Sequence, residues 1–98
     1  MASERKYAQR LLDTLPATIA TDTGRVVDCR GFGKLTIIAG AGATASVSRV
    51  DLPDATAHTT GAQNTEPDVT ANTRITIDVD WPFFYVSSAG GPSRVSRA

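Results

Sequence analysis

Leu35-Thr36-Ile37-Ile38-Ala39-Gly40-Ala41-Gly42-Ala43-Thr44-Ala45-Ser46-Val47 is the stretch that decides the fold class. An apolar, β-branched run is followed by a glycine turn and then by a run of small residues. Two extended runs joined by a short Gly-containing loop read as a β-hairpin, because glycine supplies the positive φ that such turns need. No chemical motif lies on it. Working outward, Arg25-Val26-Val27-Asp28-Cys29 reads as a short strand before it, and Arg49-Val50-Asp51-Leu52 prolongs the second run until Pro53 ends it.

Further along, Arg74 to Asp80 has the strict period of two of a half-buried strand. Ile75, Ile77, Val79 and Trp81 share one face, with Trp81 expected to help seal the core, while Arg74, Thr76, Asp78 and Asp80 share the other. After Pro82, Phe83-Phe84-Tyr85-Val86 begins a second aromatic strand. Three aromatics in a row put side chains on both faces, so this strand is either covered on both sides or leaves one aromatic to a partner. Ala17 to Gly24 reads as a linker or an edge strand, and Arg94 to Arg97 as a last short strand or a loose tail. About six short strands with frequent turns predict a small antiparallel β-sandwich or barrel over residues 17–98.

Residues 1–16 read as a separate N-terminal amphipathic helix or arm. Tyr7, Ala8, Leu11, Leu12 and Leu15 recur on one helical stripe, Ser3 caps the start and Pro16 stops it. The stripe either covers the sheet of its own subunit or lies on a neighbour. In the second case, residues 1–15 can be removed without unfolding the β-domain.

Charge and composition exclude several classes. Ten basic and ten acidic residues cancel over 98 residues, which argues against a nucleic-acid-gripping or membrane-surface protein. Basic residues gather in 24–50 and acidic ones in 51–80. Cys29 stands alone, so no intrachain disulfide forms, and a buried structural thiol is expected. No apolar run reaches a membrane span and the N-terminus has no signal-peptide pattern, so a soluble chain made in the cytoplasm is expected. Gly31-Phe32-Gly33 lacks the rest of a phosphate loop. His58, in the polar stretch 53–72, has no second His or Cys nearby and reads as an exposed polar side chain rather than a metal ligand or pH switch. Asp78 and Asp80 supply too few oxygens for calcium. Neither a catalytic constellation nor a cofactor site is read from these residues, and an enzyme is not expected. The 53–72 loop is where a binding module would carry partner contacts.

The order Val27-Asp28-Cys29-Arg30-Gly31-Phe32-Gly33-Lys34-Leu35-Thr36, a glycine turn, a small-residue strand, a polar loop and Asp80-Trp81-Pro82-Phe83-Phe84-Tyr85-Val86 resembles small virion structural proteins of tailed bacteriophages. In that group a Val-Asp-Leu-Arg-Gly-Tyr phrase opens a β-sandwich and a Pro-Tyr-Tyr-aromatic-Val strand closes it. Here Cys29 replaces the leucine and Phe32 the tyrosine. The resemblance implies a capsid decoration (cement) protein on the virion surface. It would bind the major capsid protein and often itself, as a trimer, without nucleic acid, membrane or cofactor. The partner-binding candidates are Tyr7, Leu11, Leu12, Leu15, Phe84 and Tyr85. The alternative is a head-tail or fibre adaptor, or a carbohydrate-binding sandwich in which Trp81 or Tyr85 stacks on sugar and Asp78 or Asp80 accepts hydrogen bonds.

Overall fold

In the computed structural model, which describes residues 11–98, the chain is a sandwich of two four-stranded sheets. Eight strands follow one another: β1 (Leu11–Leu12), β2 (Ala17–Ile19), β3 (Thr23–Asp28), β4 (Lys34–Ala39), β5 (Thr44–Val50), β6 (Arg74–Asp78), β7 (Phe83–Ala89) and β8 (Ser93–Arg97). One sheet has the order β1-β3-β7-β5 and the other β2-β8-β4-β6. All odd-numbered strands thus lie in one layer and all even-numbered strands in the other. Every connection crosses between layers, and no two consecutive strands pair.

This topology corrects the hairpin reading of residues 35–47. β4 pairs with β6 and β8, whereas β5 pairs with β7. The Gly40–Gly42 turn therefore forms an arch from one sheet to the other. Gly42 has φ +74°, and a Cβ on Gly40 would collide with the Pro92 carbonyl of the neighbouring β7–β8 arch. Glycine is needed there because two arches touch backbone to backbone.

The helix expected over 3–15 is also corrected within the described residues. Leu11 and Leu12 form β1, pairing in parallel with Val26 and Val27. The stripe of leucines is apolar because it packs on the sheets, and strand alternation sends Leu12 into the main core and Leu11 to the other side of the odd sheet. Tyr7 and the rest of the helix reading lie outside the described residues.

Between the sheets sits a core of Leu12, Ile19, Val27, Leu35, Ile37, Val47, Ile77, Phe84, Val86 and Val95 with smaller neighbours, including Cys29. β8 is an inner strand between β2 and β4, so the C-terminal tail is tied into the sheet. A second apolar cluster, Val26, Val50, Phe83 and Tyr85, lies on the far side of the odd sheet. Central β7 consequently has aromatic side chains buried on both of its faces, Phe84 inward and Phe83 and Tyr85 outward.

Candidate functional site

The cover on this outer cluster is the long segment between β5 and β6. Its second half runs along the free edge of β5: the Arg49 amide donates to the Asn64 carbonyl at 2.7 Å and the Glu66 amide to the Val47 carbonyl at 3.1 Å. Ala45 and Val69 exchange both of their backbone bonds, at 3.0 and 2.8 Å. The edge that would otherwise expose unpaired amides is thereby closed. Val69 turns into the main core and Ala55 packs on the outer cluster.

His58 fastens the first half of the segment. Its Nδ1 lies 2.8 Å from Ser48 Oγ and its Nε2 2.6 Å from Ser87 Oγ, so the ring bridges β5 and β7. In a neutral imidazole one nitrogen donates and the other accepts, and the two hydroxyls supply one partner of each kind. The Thr59 amide adds a bond to Ser48 Oγ at 3.3 Å. The imidazole meets the Tyr85 ring edge to face, with centroids 4.7 Å apart. Burial pulls the His58 pKa below its ordinary value, opposed by the Asp68 charge. The expectation of an exposed polar histidine is thus corrected, since His58 is half-buried and bonded through both ring nitrogens.

Beside this bridge opens a cleft of about 360 Å³ bordered by Asp22, Gly24, His58, Tyr85 and Ser87. Tyr85 lies across Gly24, where any Cβ would fall inside its ring. A serine 2.6 Å from an imidazole has the spacing of a nucleophile and its base. The other ring nitrogen, however, faces a hydroxyl and not a carboxylate, and the Asp22 and Thr23 amides at the cleft already donate to Ser88 and Ala20 carbonyls. Neither can act as an oxyanion donor without breaking the β2–β3 turn. The arrangement is suited to fastening the loop.

A different surface lies at the end of the sandwich where β3, β5, β6 and β8 finish. The 29–33, 51–53 and 79–82 turns meet there: the Cys29 amide donates to the Pro82 carbonyl at 2.8 Å and Trp81 Nε1 to the Val50 carbonyl at 3.0 Å. Each turn exposes one large apolar side chain, Phe32 (39%), Leu52 (63%) and Trp81 (39%). Trp81 was expected to help seal the core; β6 ends at Asp78, and the Trp81 ring, carried by the turn that follows, lies partly exposed at the end of the sandwich. Arg97 stacks over Phe32 at 4.1 Å and donates to the Asp28 and Asp13 carbonyls, and Arg30 lies 5.0 Å over the Phe83 ring. Cys29, just behind the Phe32 turn, is fully buried, and desolvation pushes its thiol up to about 11 against the pull of Arg97, with Asp28 adding to the rise.

The charge split along the chain closes on itself. Arg49 binds Asp80 at 2.7 Å and Glu66 at 3.2 Å, and Lys34 binds Asp78. The hydrogen bond from Arg49 holds the Asp80 carboxyl below the usual carboxylate range, as that from Arg30 does for Asp28.

Of the six candidate partner residues, five lie among the described residues. Leu12 and Phe84 are buried in the main core, Leu15 packs partly against it, and Leu11 packs on the outer cluster, where Tyr85 is 9% exposed. They meet their own subunit's sheets and not a shared open surface. Phe32 and Leu52 have no partner role in the sequence reading, and Trp81 has one only in the carbohydrate-binding alternative. The signal available for them was position, since each is a large apolar residue inside a Gly- or Pro-marked turn.

No protein-family profile, curated protein or solved structure matches the chain. Among the described residues no helix is long and apolar enough to cross a membrane, and no group of three or more His, Cys, Asp or Glu side chains converges on a metal site.

Proposed function

We propose that this chain is a non-enzymatic structural subunit of a tailed-phage virion, a decoration protein that binds the major capsid protein on the outside of the shell. The observation carrying this reading is the apolar end formed by Phe32, Leu52 and Trp81, three exposed large side chains brought together from three adjoining turns, whereas the other exposed one, Ile38, stands apart on the outer face of β4. A cement subunit needs apolar surface beyond its own core to bury against the shell, ringed by charge that fixes orientation. Arg30 and Asp80 supply such a rim. The order of motifs from Val27 to Val86 supports the same class.

The leucines of 11–15 are not the contact in this reading. Leu12 belongs to the main core and β1 to the odd sheet, so deleting residues 1–15 removes part of the sandwich itself. The test is made on particles released by the host that carries the gene. Gradient-purified particles should contain the chain in copy numbers comparable to the major capsid protein, and the Phe32→Ser/Trp81→Ser variant should fold yet be lost from them. Particles devoid of the wild-type chain would refute the proposal.

One observation favours a second reading, a carbohydrate-binding adaptor: Trp81 is 39% exposed and adjoins Asp80. Against it, Arg49 occupies both Asp80 oxygens, Lys34 binds Asp78, and Tyr85 is covered by His58. Quenching of Trp81 fluorescence by soluble oligosaccharides, without particle association, would move the assignment to that class.

A further inference from the structure

Among the described residues β6 is the outermost strand of the even sheet and pairs only with β4. Hydrogen bonding alternates along an antiparallel strand. The Val79 amide donates to the Gly33 carbonyl at 2.9 Å and the Ala39 amide to the Thr73 carbonyl at 3.0 Å, so Ile75 and Ile77, which lie between them at the same alternation, turn their backbone groups toward β4. The N–H and C=O groups of Arg74, Thr76 and Asp78 consequently point away from the sheet, and none of them has a backbone partner among the described residues. All three residues are exposed. The matching edge of the odd sheet is covered by residues 64–69, whereas no described residue covers that of β6.

The strand reads Arg74-Ile75-Thr76-Ile77-Asp78, an apolar pattern identical in both directions with opposite charges at its two ends. We propose that β6 is a homodimer edge: two copies join antiparallel about a twofold axis through Thr76, fusing their even sheets into one. In that register Arg74 stands opposite the second copy's Asp78, Thr76 opposite its counterpart, and Asp78 opposite the second copy's Arg74. Each of these pairs is of the closely spaced kind that exchanges both backbone bonds. Ile75 and Ile77 face one another on the core side. On the outer side the Thr36–Thr76 hydroxyl pair, 3.1 Å apart, continues into the same pair of the second copy.

Charge selects this register over its neighbours. A twofold axis at Arg74 or at Asp78 sets like charges directly opposite each other, which is destabilising. Arg74 has no ion-pair partner among the described residues, and Asp78 is bound by Lys34 from within its own sheet while its side chain stays 84% exposed. The second copy's Arg74 approaches from the open side.

The test is the mass of the full chain in solution across a concentration series, by sedimentation equilibrium. A reversible monomer–dimer equilibrium is expected. Arg74→Asp and Asp78→Arg should each weaken it by about tenfold or more, because each puts like charges opposite one another twice per dimer. The double variant Arg74→Asp/Asp78→Arg restores opposite pairs and should return association to within about threefold of wild type. Thr76→Pro should abolish dimerisation with the circular dichroism spectrum retained, since the N–H it removes faces away from β4. A monomer at every concentration, a trimer, a dimer indifferent to Arg74→Asp, or a charge swap that fails to restore association would each overturn the proposal.

Discussion

On the odd sheet the side chains pointing away from the sandwich include Val26, Val50, Phe83 and Tyr85, all buried; on the even sheet they are Lys34, Thr36, Ile38, Arg74, Thr76, Asp78 and Arg94, half-buried at most. The same alternation operates in both layers. What differs is the cover: the segment between β5 and β6 folds over the odd sheet, its start carrying Ala55 and His58 onto the outer cluster and its end closing the β5 edge. Among the described residues the even sheet has no such cover, and it carries charges and hydroxyls instead. Period-two patterning assigns residues to a face, but it does not say whether that face meets water or another part of the chain.

The comparison is tested most severely at β7, whose two faces are both buried. Phe84→Ala empties a site at the centre of the sandwich and should destabilise by about 3–5 kcal/mol, measured by urea unfolding. Tyr85→Ala, one residue on and on the opposite face, should still cost about 2–4 kcal/mol, because the loop makes that face interior. If Tyr85→Ala were as mild as a surface change, the outer cluster would not be a core. It would also bare Gly24, which Tyr85 now covers.

Much of this was legible before folding was considered. The alternation from Arg74 to Asp80 identified β6, which ends at Asp78, and the unbroken Phe83–Val86 run left two outcomes open, cover on both sides or one aromatic exposed, of which the structure shows the first. The small antiparallel sandwich followed from turn spacing. Two local signals misled for definable reasons. Leu11, Leu12 and Leu15 satisfy a helical stripe, but pairing with Val26 and Val27 overrides propensity in so short a segment. The Gly40–Gly42 turn reverses the chain as a hairpin would, yet a reversal does not specify whether the returning strand lies beside the first or beneath it. In a fold where every connection crosses layers, pairing is set by contacts distant in sequence. His58 had no local signal, since Ser48 and Ser87, its partners, are ten and twenty-nine residues away.

That fastening is the next test. His58→Ala removes both hydroxyl contacts across β5 and β7 and should cost about 1–2 kcal/mol, less than either aromatic. The wild type should also respond to pH through this residue. Because burial sets the folded-state pKa below the unfolded value of about 6.5, the unfolded chain binds the proton first. Stability is therefore full above that pH and declines as pH falls through the folded-state value, before Asp28 and Asp80 begin to protonate below their ordinary range. The decline should vanish in His58→Ala. Hydrogen exchange at the Thr59 amide, which donates to Ser48 Oγ, would locate it in the loop.

Thr36→Ala gives the smallest expected change and completes the contrast with Tyr85. Both residues point outward from an inner strand of a four-stranded sheet, and both sit in cross-strand rows. Thr36 shares a 3.1 Å hydroxyl contact with Thr76 on a face open to water, where a lost hydrogen bond is replaced by solvent. Its removal should shift stability by no more than about 0.5 kcal/mol. A loss comparable to that of Tyr85→Ala would mean that the even sheet is covered in solution as well. The dimer edge at β6 would then be too narrow to explain the cover, because it protects the margin of that sheet and leaves Thr18, Ile38 and Arg94 untouched.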